Sequence, residues 1–348
     1  MRRRDFLKAA FTAAALTASS PSALLAAARK TPQVDGTAPA AGSDSEFVDS
    51  HLHYLDFLQG TDGLEALTKA MDKACVGRAV LFGMPMIKQW DPSAPQKPKY
   101  YMSNDSRCYY YSGTDFLLLK HLGEAPEHVR RRFLPFVCGV NANDMNAAPL
   151  LRRLLEEFPG RIAGIGEIMC RHDDLTALTY GEPPRADNPA MLPVYDLAAE
   201  MRMPVLIHHN IAPSYAREPL YLQEMENALR HNRKARIIWA HVGVSRRVEV
   251  LNLPEIADNA LRRHKNLYFD ISWLVFENYI ARDDASLDVW AALLSRHPDR
   301  FMIGTDVVGH WETYPRNITK YRPLLARLSP ETAAGVSRGN ILRLVRTY

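Results

Sequence analysis

The sequence predicts an α/β protein, a single-domain (β/α)8 TIM barrel spanning residues 46–348. Three observations carry that expectation. Short runs rich in aliphatic and aromatic residues recur eight times. Stretches of helical periodicity separate them. The runs are apolar on both faces, as strands of a parallel sheet covered on each side must be. A doubly wound open sheet is the alternative, but no Gly-x-Gly-x-x-Gly follows any early strand. No internal repeat is found.

The first run, FVDSHLH at 47–53, passes from Phe47 and Val48 into Asp49, His51 and His53. Residues two apart on a strand share a face, so the two imidazoles converge. The second run is RAVLFGMP at 78–85, and the connection after it, 86–132, is out of scale. A long irregular connection in a compact domain is functional or mobile, and this one follows a strand, on the catalytic face of a barrel. It carries Tyr100, Tyr101, Tyr109, Tyr110 and Tyr111 before a helix at 114–122. These phenols either line a pocket or pack the loop, and Tyr109 is a candidate substrate contact.

FLPFVCGVN at 133–141 is the third run, and IAGIGEIM at 162–169 the fourth, ending near Glu167 with Arg171 and His172 on the loop beyond. Both loop residues are placed to touch substrate, and Arg171 is also an alternative ion-pair partner for Glu167. Asn188-Pro189 reads as the cap and first residue of a helix over 190–202. The fifth run, PVLIHHN at 204–210, presents His208, whereas His209 must face the other way. A helix at 219–231 leads to the sixth run, ARIIWAHVG at 235–243, with His241. LYFDISW at 267–273 carries Asp270, placed to orient a ligand or substrate, and FMIGTDVV at 301–308 carries Asp306.

His51, His53, Glu167, His208, His241 and Asp306 thus stand at the C-terminal ends of five strands, which converge on one mouth in a barrel. Imidazoles and carboxylates gathered in this way are ligands for a divalent metal such as zinc.

DSHLH, GEI, ADNPAMLPVYDLAAEMRMPVLIHH, IIWAHVG, NLYFDISW, FMIGTD and the terminal GNILRL together resemble the amidohydrolase superfamily, in particular its amidohydrolase-related (amidohydrolase 2) metal-dependent hydrolases, over most of residues 46–345. The resemblance implies a two-metal site. His51, His53 and Asp306 would surround one ion, His208 and His241 the other, and Glu167 would bridge them. It implies cleavage of a C–N or C–O bond in a small amide, lactone or ester, with Asp306 accepting the proton of a water that the metal acidifies to a pKa of about 7. Metal-dependent decarboxylation is the enzymatic alternative. A non-catalytic binding module would have lost ligands, and no ligand position is vacant.

Residues 1–28 combine a basic start, an Ala-rich apolar stretch and small residues at Ala26 and Ala28, the pattern of a cleaved signal peptide rather than a membrane span. Arg3-Arg4-Asp5-Phe6-Leu7-Lys8 resembles a twin-arginine signal, which implies the twin-arginine export machinery as a partner and a periplasmic destination. Residues 29–45 read as a linker. Four basic residues and one acidic residue leave with the signal, which brings the formal net charge from +4 to about +1 and leaves no basic footprint for nucleic acid. The four cysteines form no Cys-x-x-Cys. Cys138 and Cys170 are placed to meet on adjacent strands, with buried free thiols as the alternative. Nothing in the sequence marks an oligomeric state.

Overall fold

The computed structural model describes residues 46–102 and 105–345, all within one compact unit, residues 40–348. The expected leader and linker lie outside the described residues. Nine strands form one curled parallel sheet: β1 (Phe47–His53), β2 (Val76–Phe82), β5 (Phe133–Val137), β6 (Gly164–Met169), β7 (Pro204–His208), β8 (Arg236–Trp239), β9 (Leu267–Asp270), β10 (Phe301–Met302) and β11 (Val307–Val308). Their order is β10-β9-β8-β7-β6-β5-β2-β1-β11. Both ends of that order are therefore pieces of the stretch 301–308. Within it, Ile303 accepts a hydrogen bond from Ser50 N at 3.0 Å, and Met302 accepts one from Ile271 N at 3.0 Å.

Strand residues alternate between two apolar clusters. Leu81, Val205, Ile207 and Ile237 pack with the helices, whereas Val80, Phe82, Leu206, Ile238 and Met302 form an inner cluster. The C-terminal helix Asn340–Leu344 adds Ile341 and Leu344 to that inner cluster. Burial on both sheet faces is why the runs read as continuously apolar.

Several expected elements end earlier than their apolar runs. The run at 235–243 is strand only over Arg236–Trp239, and the run at 301–308 is interrupted at 303–306. In both places the backbone leaves the sheet where a polar residue enters the mouth. The helix expected over 190–202 is Leu192–Met201. Asn188 closes the preceding turn instead, its Oδ1 accepting from Ala190 N at 2.9 Å. The helix expected over 219–231 is Leu222–His231, and the one over 114–122 is Gly113–Glu124.

The connection 86–132 is more ordered than its sequence implies. It opens with an antiparallel ribbon of β3 (Met86–Lys88) and β4 (Cys108–Tyr110), which pairs Ile87 with Tyr109. All four cysteines are free, so Cys138 and Cys170 do not pair. Among the described residues, no helix is long and apolar enough to cross a membrane.

Candidate metal centre

Strand alternation alone does not aim the histidines of β1. Phe47 and Leu52 both pack toward the helices and Val48 packs inward, although 48 and 52 share a face on a regular strand. Irregularities between Phe47 and Val48 and between Asp49 and Leu52 shift the phase, so His51 and His53 turn inward. Asp49 pins the slip. Its Oδ1 accepts from His51 N and Thr305 N at 3.0 Å each, and its Oδ2 from Thr305 Oγ1 at 2.7 Å.

The same device recurs in β6, where the register slips between Ile165 and Ile168 and Glu167 points inward. Gly166 has φ +118, and a Cβ there would lie 2.1 Å from the Leu206 carbonyl oxygen, so only glycine fits. The Gly166–Glu167 peptide is cis. His241, just past β8, is turned in by left-handed backbone at His241 and Val242, both at φ 54. Gly304 leaves room for His51, whose Cβ would sit 2.6 Å from any Cβ added there.

The six expected ligands meet in one buried cluster. Glu167 Oε2 lies 3.5 Å from His51 Nε2 and 3.2 Å from His53 Nε2. Its Oε1 lies 3.1 Å from His208 Nδ1 and 3.6 Å from His241 Nε2. Asp306 Oδ1 approaches His51 Nε2 at 3.3 Å and His53 Nε2 at 3.2 Å, and its Oδ2 is 3.8 Å from His241 Nε2.

Each ring is anchored from behind. His51 Nδ1 is 2.8 Å from Asp270 Oδ2, His53 Nδ1 is 3.0 Å from the Gly83 carbonyl, and His241 Nδ1 is 3.2 Å from the Ser272 carbonyl. His208 Nε2 faces Asn210 Oδ1 at 3.2 Å. With the anchor side taking a ring proton, the other nitrogen faces the carboxylates, where a proton or a cation can sit between them, as in a metal-ligating histidine.

The donor set fits a divalent cation. His51 Nε2 is buried without a hydrogen-bond partner, and such an atom costs stability unless something binds it. Burial opposes charge on His51, but Glu167, Asp270 and Asp306 hold its pKa well above the ordinary imidazole value. Burial raises Glu167, yet His51, His208 and His241 pull it well below the carboxylate range. Asp306 is lowered against its own burial by His51 and His53. A field that binds a proton this strongly also favours a metal ion. Among the described residues, the ligand atoms of His51, His53 and Asp306 lie within 4.8 Å of one another, as do those of His51, Glu167 and His241. His51 thus joins the second group, where His208 was expected.

A cavity of about 20 Å³ adjoins these donors, walled by Phe57, Met84, Met169, His172 and Trp273. A wider cleft of about 240 Å³ lies outside it, and Tyr101, Trp273, Asp306 and Val308 line both. Trp273 has φ 59, and its ring lies 5.2 Å from His241. Its Nε1 donates to the Tyr101 hydroxyl at 3.3 Å.

Of the residues expected at the substrate, His172 is at the cavity wall, stacked on His208 at 4.3 Å. Three others are not. Arg171 forms two 2.7 Å bonds to Glu224 and lies over the Tyr221 ring, so it is paired with Glu224 rather than Glu167, and it lines neither cavity. Asp270 is fully buried behind His51, where it holds the ring at Nδ1. Tyr109 is 44% exposed on the ribbon and lines neither cavity. His209 turns away toward Tyr221 and Trp239. Trp273 was missed, since one aromatic residue just past a strand carries no signal beyond that of a core residue.

No curated protein matches the chain. Solved structures resemble it in fold. An uncharacterised TIM-barrel protein of Bordetella bronchiseptica aligns over 86% of this chain and 97% of that chain, at 13% identity and a TM-score of 0.55. A 2,6-dihydroxybenzoate decarboxylase from Rhizobium aligns over 86% and 98%, at 15% identity and 0.51. An amidohydrolase from Burkholderia multivorans with bound zinc aligns over 86% and 98%, at 16% identity and 0.52. A family profile described as amidohydrolase matches residues 48–347, the span that holds every donor of the metal centre, and the chain belongs to that amidohydrolase family.

Proposed function

We propose that this protein is a metal-dependent hydrolase that cleaves a C–N or C–O bond of a small amide, lactone or ester. The observation that carries the reading is the division of Glu167, with Oε2 toward His51 and His53 and Oε1 toward His208 and His241. That is how a carboxylate bridges two cation positions. When bound, divalent cations, zinc in this reading, supply the positive charge that acidifies water and polarises the scissile bond. Asp306 lines both the inner cavity and the outer cleft, and its lowered pKa keeps it ionised, so it is ready to take the proton of the attacking water and return it to the leaving group. Asp270, Gly83 and Ser272 hold the imidazoles in one tautomer.

Decarboxylation of an aromatic acid is the second reading, favoured by the fold shared with the Rhizobium decarboxylase and by the apolar wall of Phe57, Met84, Met169 and Trp273. The test is turnover of a lactone, ester and amide panel by metal-loaded protein, with carbon dioxide release followed separately. Hydrolysis lowered about 10²-fold or more in Asp306→Asn supports the first reading. Carbon dioxide release without hydrolysis overturns it.

The same reading takes residues 1–28 as a twin-arginine leader, 29–45 as a linker and the mature enzyme as periplasmic. It takes the sheet as a closed barrel, with 301–308 as its eighth strand, supported by the bonds of that stretch to both Ser50 and Ile271.

A further inference from the structure

The backbone determines where His172 carries its proton. The Asp174 N–H donates to His172 Nδ1 at 3.0 Å. A peptide N–H can only donate, so Nδ1 is the acceptor and the proton of the neutral ring sits on Nε2. A second proton on Nδ1 would be driven against the Asp174 N–H, which keeps the ring neutral. His51, His53 and His241 point their Nε2 atoms at the carboxylates, whereas His172 has a free N–H to offer. The ring is 3% exposed, stacks on His208 at an interplanar angle of 29°, and walls the cavity beside the metal donors. Thr176 reinforces the pose, its Oγ1 accepting from His172 N at 2.8 Å. No described residue accepts a hydrogen bond from Nε2.

We propose that His172 is a catalytic residue, a neutral hydrogen-bond donor whose Nε2–H polarises the carbonyl oxygen of the bound ester, lactone or amide. No proton leaves the ring. The hydrogen bond strengthens as negative charge gathers on the oxygen in the tetrahedral state and relaxes when the leaving group departs. A neutral imidazole serves this purpose without being recharged between turnovers. The inference rests on the hydrolase reading and adds to it the group that meets the oxygen opposite the attacking water.

The test compares wild type with His172→Phe and His172→Gln, whose amide nitrogen can stand where Nε2 does. His172→Phe should lower kcat about 10²-fold to 10³-fold, as losing one such donor does, with metal content and thermal midpoint held near wild type. His172→Gln should recover at least about tenfold of that loss by restoring a donor. Affinity for a phosphonate analogue of the best substrate should fall in step with kcat/KM, since a tetrahedral anion reports the same contact. Nitrogen-15 spectra of the zinc-loaded protein should show the His172 proton on Nε2.

A proton on Nδ1, turnover by His172→Phe within threefold of wild type, or phosphonate affinity unchanged in a crippled variant each overturns the assignment while leaving the hydrolase reading in place. Loss of metal in both variants makes His172 a support for His208 and also overturns it. A wild type that hydrolyses nothing fails the parent reading first, and this inference with it.

Discussion

Glu167 sits at 1% exposure among four imidazoles, with an oxygen toward each pair. Two dications held a few ångströms apart repel strongly, and an anion between them offsets that repulsion. Glu167→Gln keeps the shape and removes the charge. Metal content is therefore expected to fall from about two ions per chain to about one, with the His51, His53 and Asp306 group keeping its ion. Metal analysis of both proteins after loosely bound ions are removed decides it. A wild-type value that never exceeds one, unchanged by the substitution, defeats the bridge. At this scale the sequence was informative about the donors, because His, Asp and Glu beside apolar runs are costly unless paired or bound. It was uninformative about Arg171 and Tyr109, since nothing in their neighbours along the chain announces Glu224 or the ribbon.

Elements aim these residues, and they do so through defects. The slip in β6 depends on Gly166, where a Cβ would meet the Leu206 carbonyl at 2.1 Å and φ lies at +118. Gly166→Ala should cost about 2 kcal/mol or more, the scale of a strained glycine-only position. It should also turn Glu167 away and lower the second metal's occupancy. A thermal midpoint and metal content equal to wild type would show that the slip does not need glycine.

A second element-level device is Asp115, which ties the helix Gly113–Glu124 to the end of β5 by accepting from Cys138 N and Gly139 N at 2.9 Å each. Burial raises its pKa to about 6, against the lowering effect of those bonds. The folded protein therefore holds this proton more tightly than the unfolded chain does. Its contribution to stability is greatest below about pH 4 and declines as pH rises to about 6. Relative to Asp115→Asn, wild type should lose up to about 3 kcal/mol across that window. Denaturant midpoints that differ by the same amount at every pH would remove the claim.

For the whole molecule, the stretch 301–308 is decisive, because β10 lies beside β9 and β11 beside β1. Asp306, between them at φ 52, approaches donors carried by β1 and by the turn after β8. Export concerns the whole chain as well. In the reading proposed here, replacing Arg3 and Arg4 by Lys should hold the protein in the cytoplasm, because paired guanidiniums are the address that is read. Unchanged periplasmic recovery of the double variant would remove that proposal.

The sequence by itself determined the order of the apolar runs and which residue types stand at their ends. Both are local properties, set by side-chain chemistry and a period of two. Only the tertiary structure decided which way those residues point. The slip at Asp49 and the break at Asp306 depend on hydrogen bonds to residues distant in the chain, from Thr305 N to Asp49 Oδ1 and from Asp306 N to the His51 carbonyl, and the slip at Gly166 on its close approach to the Leu206 carbonyl. It also decided what surrounds them. Trp273 and Tyr101, 172 residues apart, meet over the ligands through one hydrogen bond that no local pattern encodes.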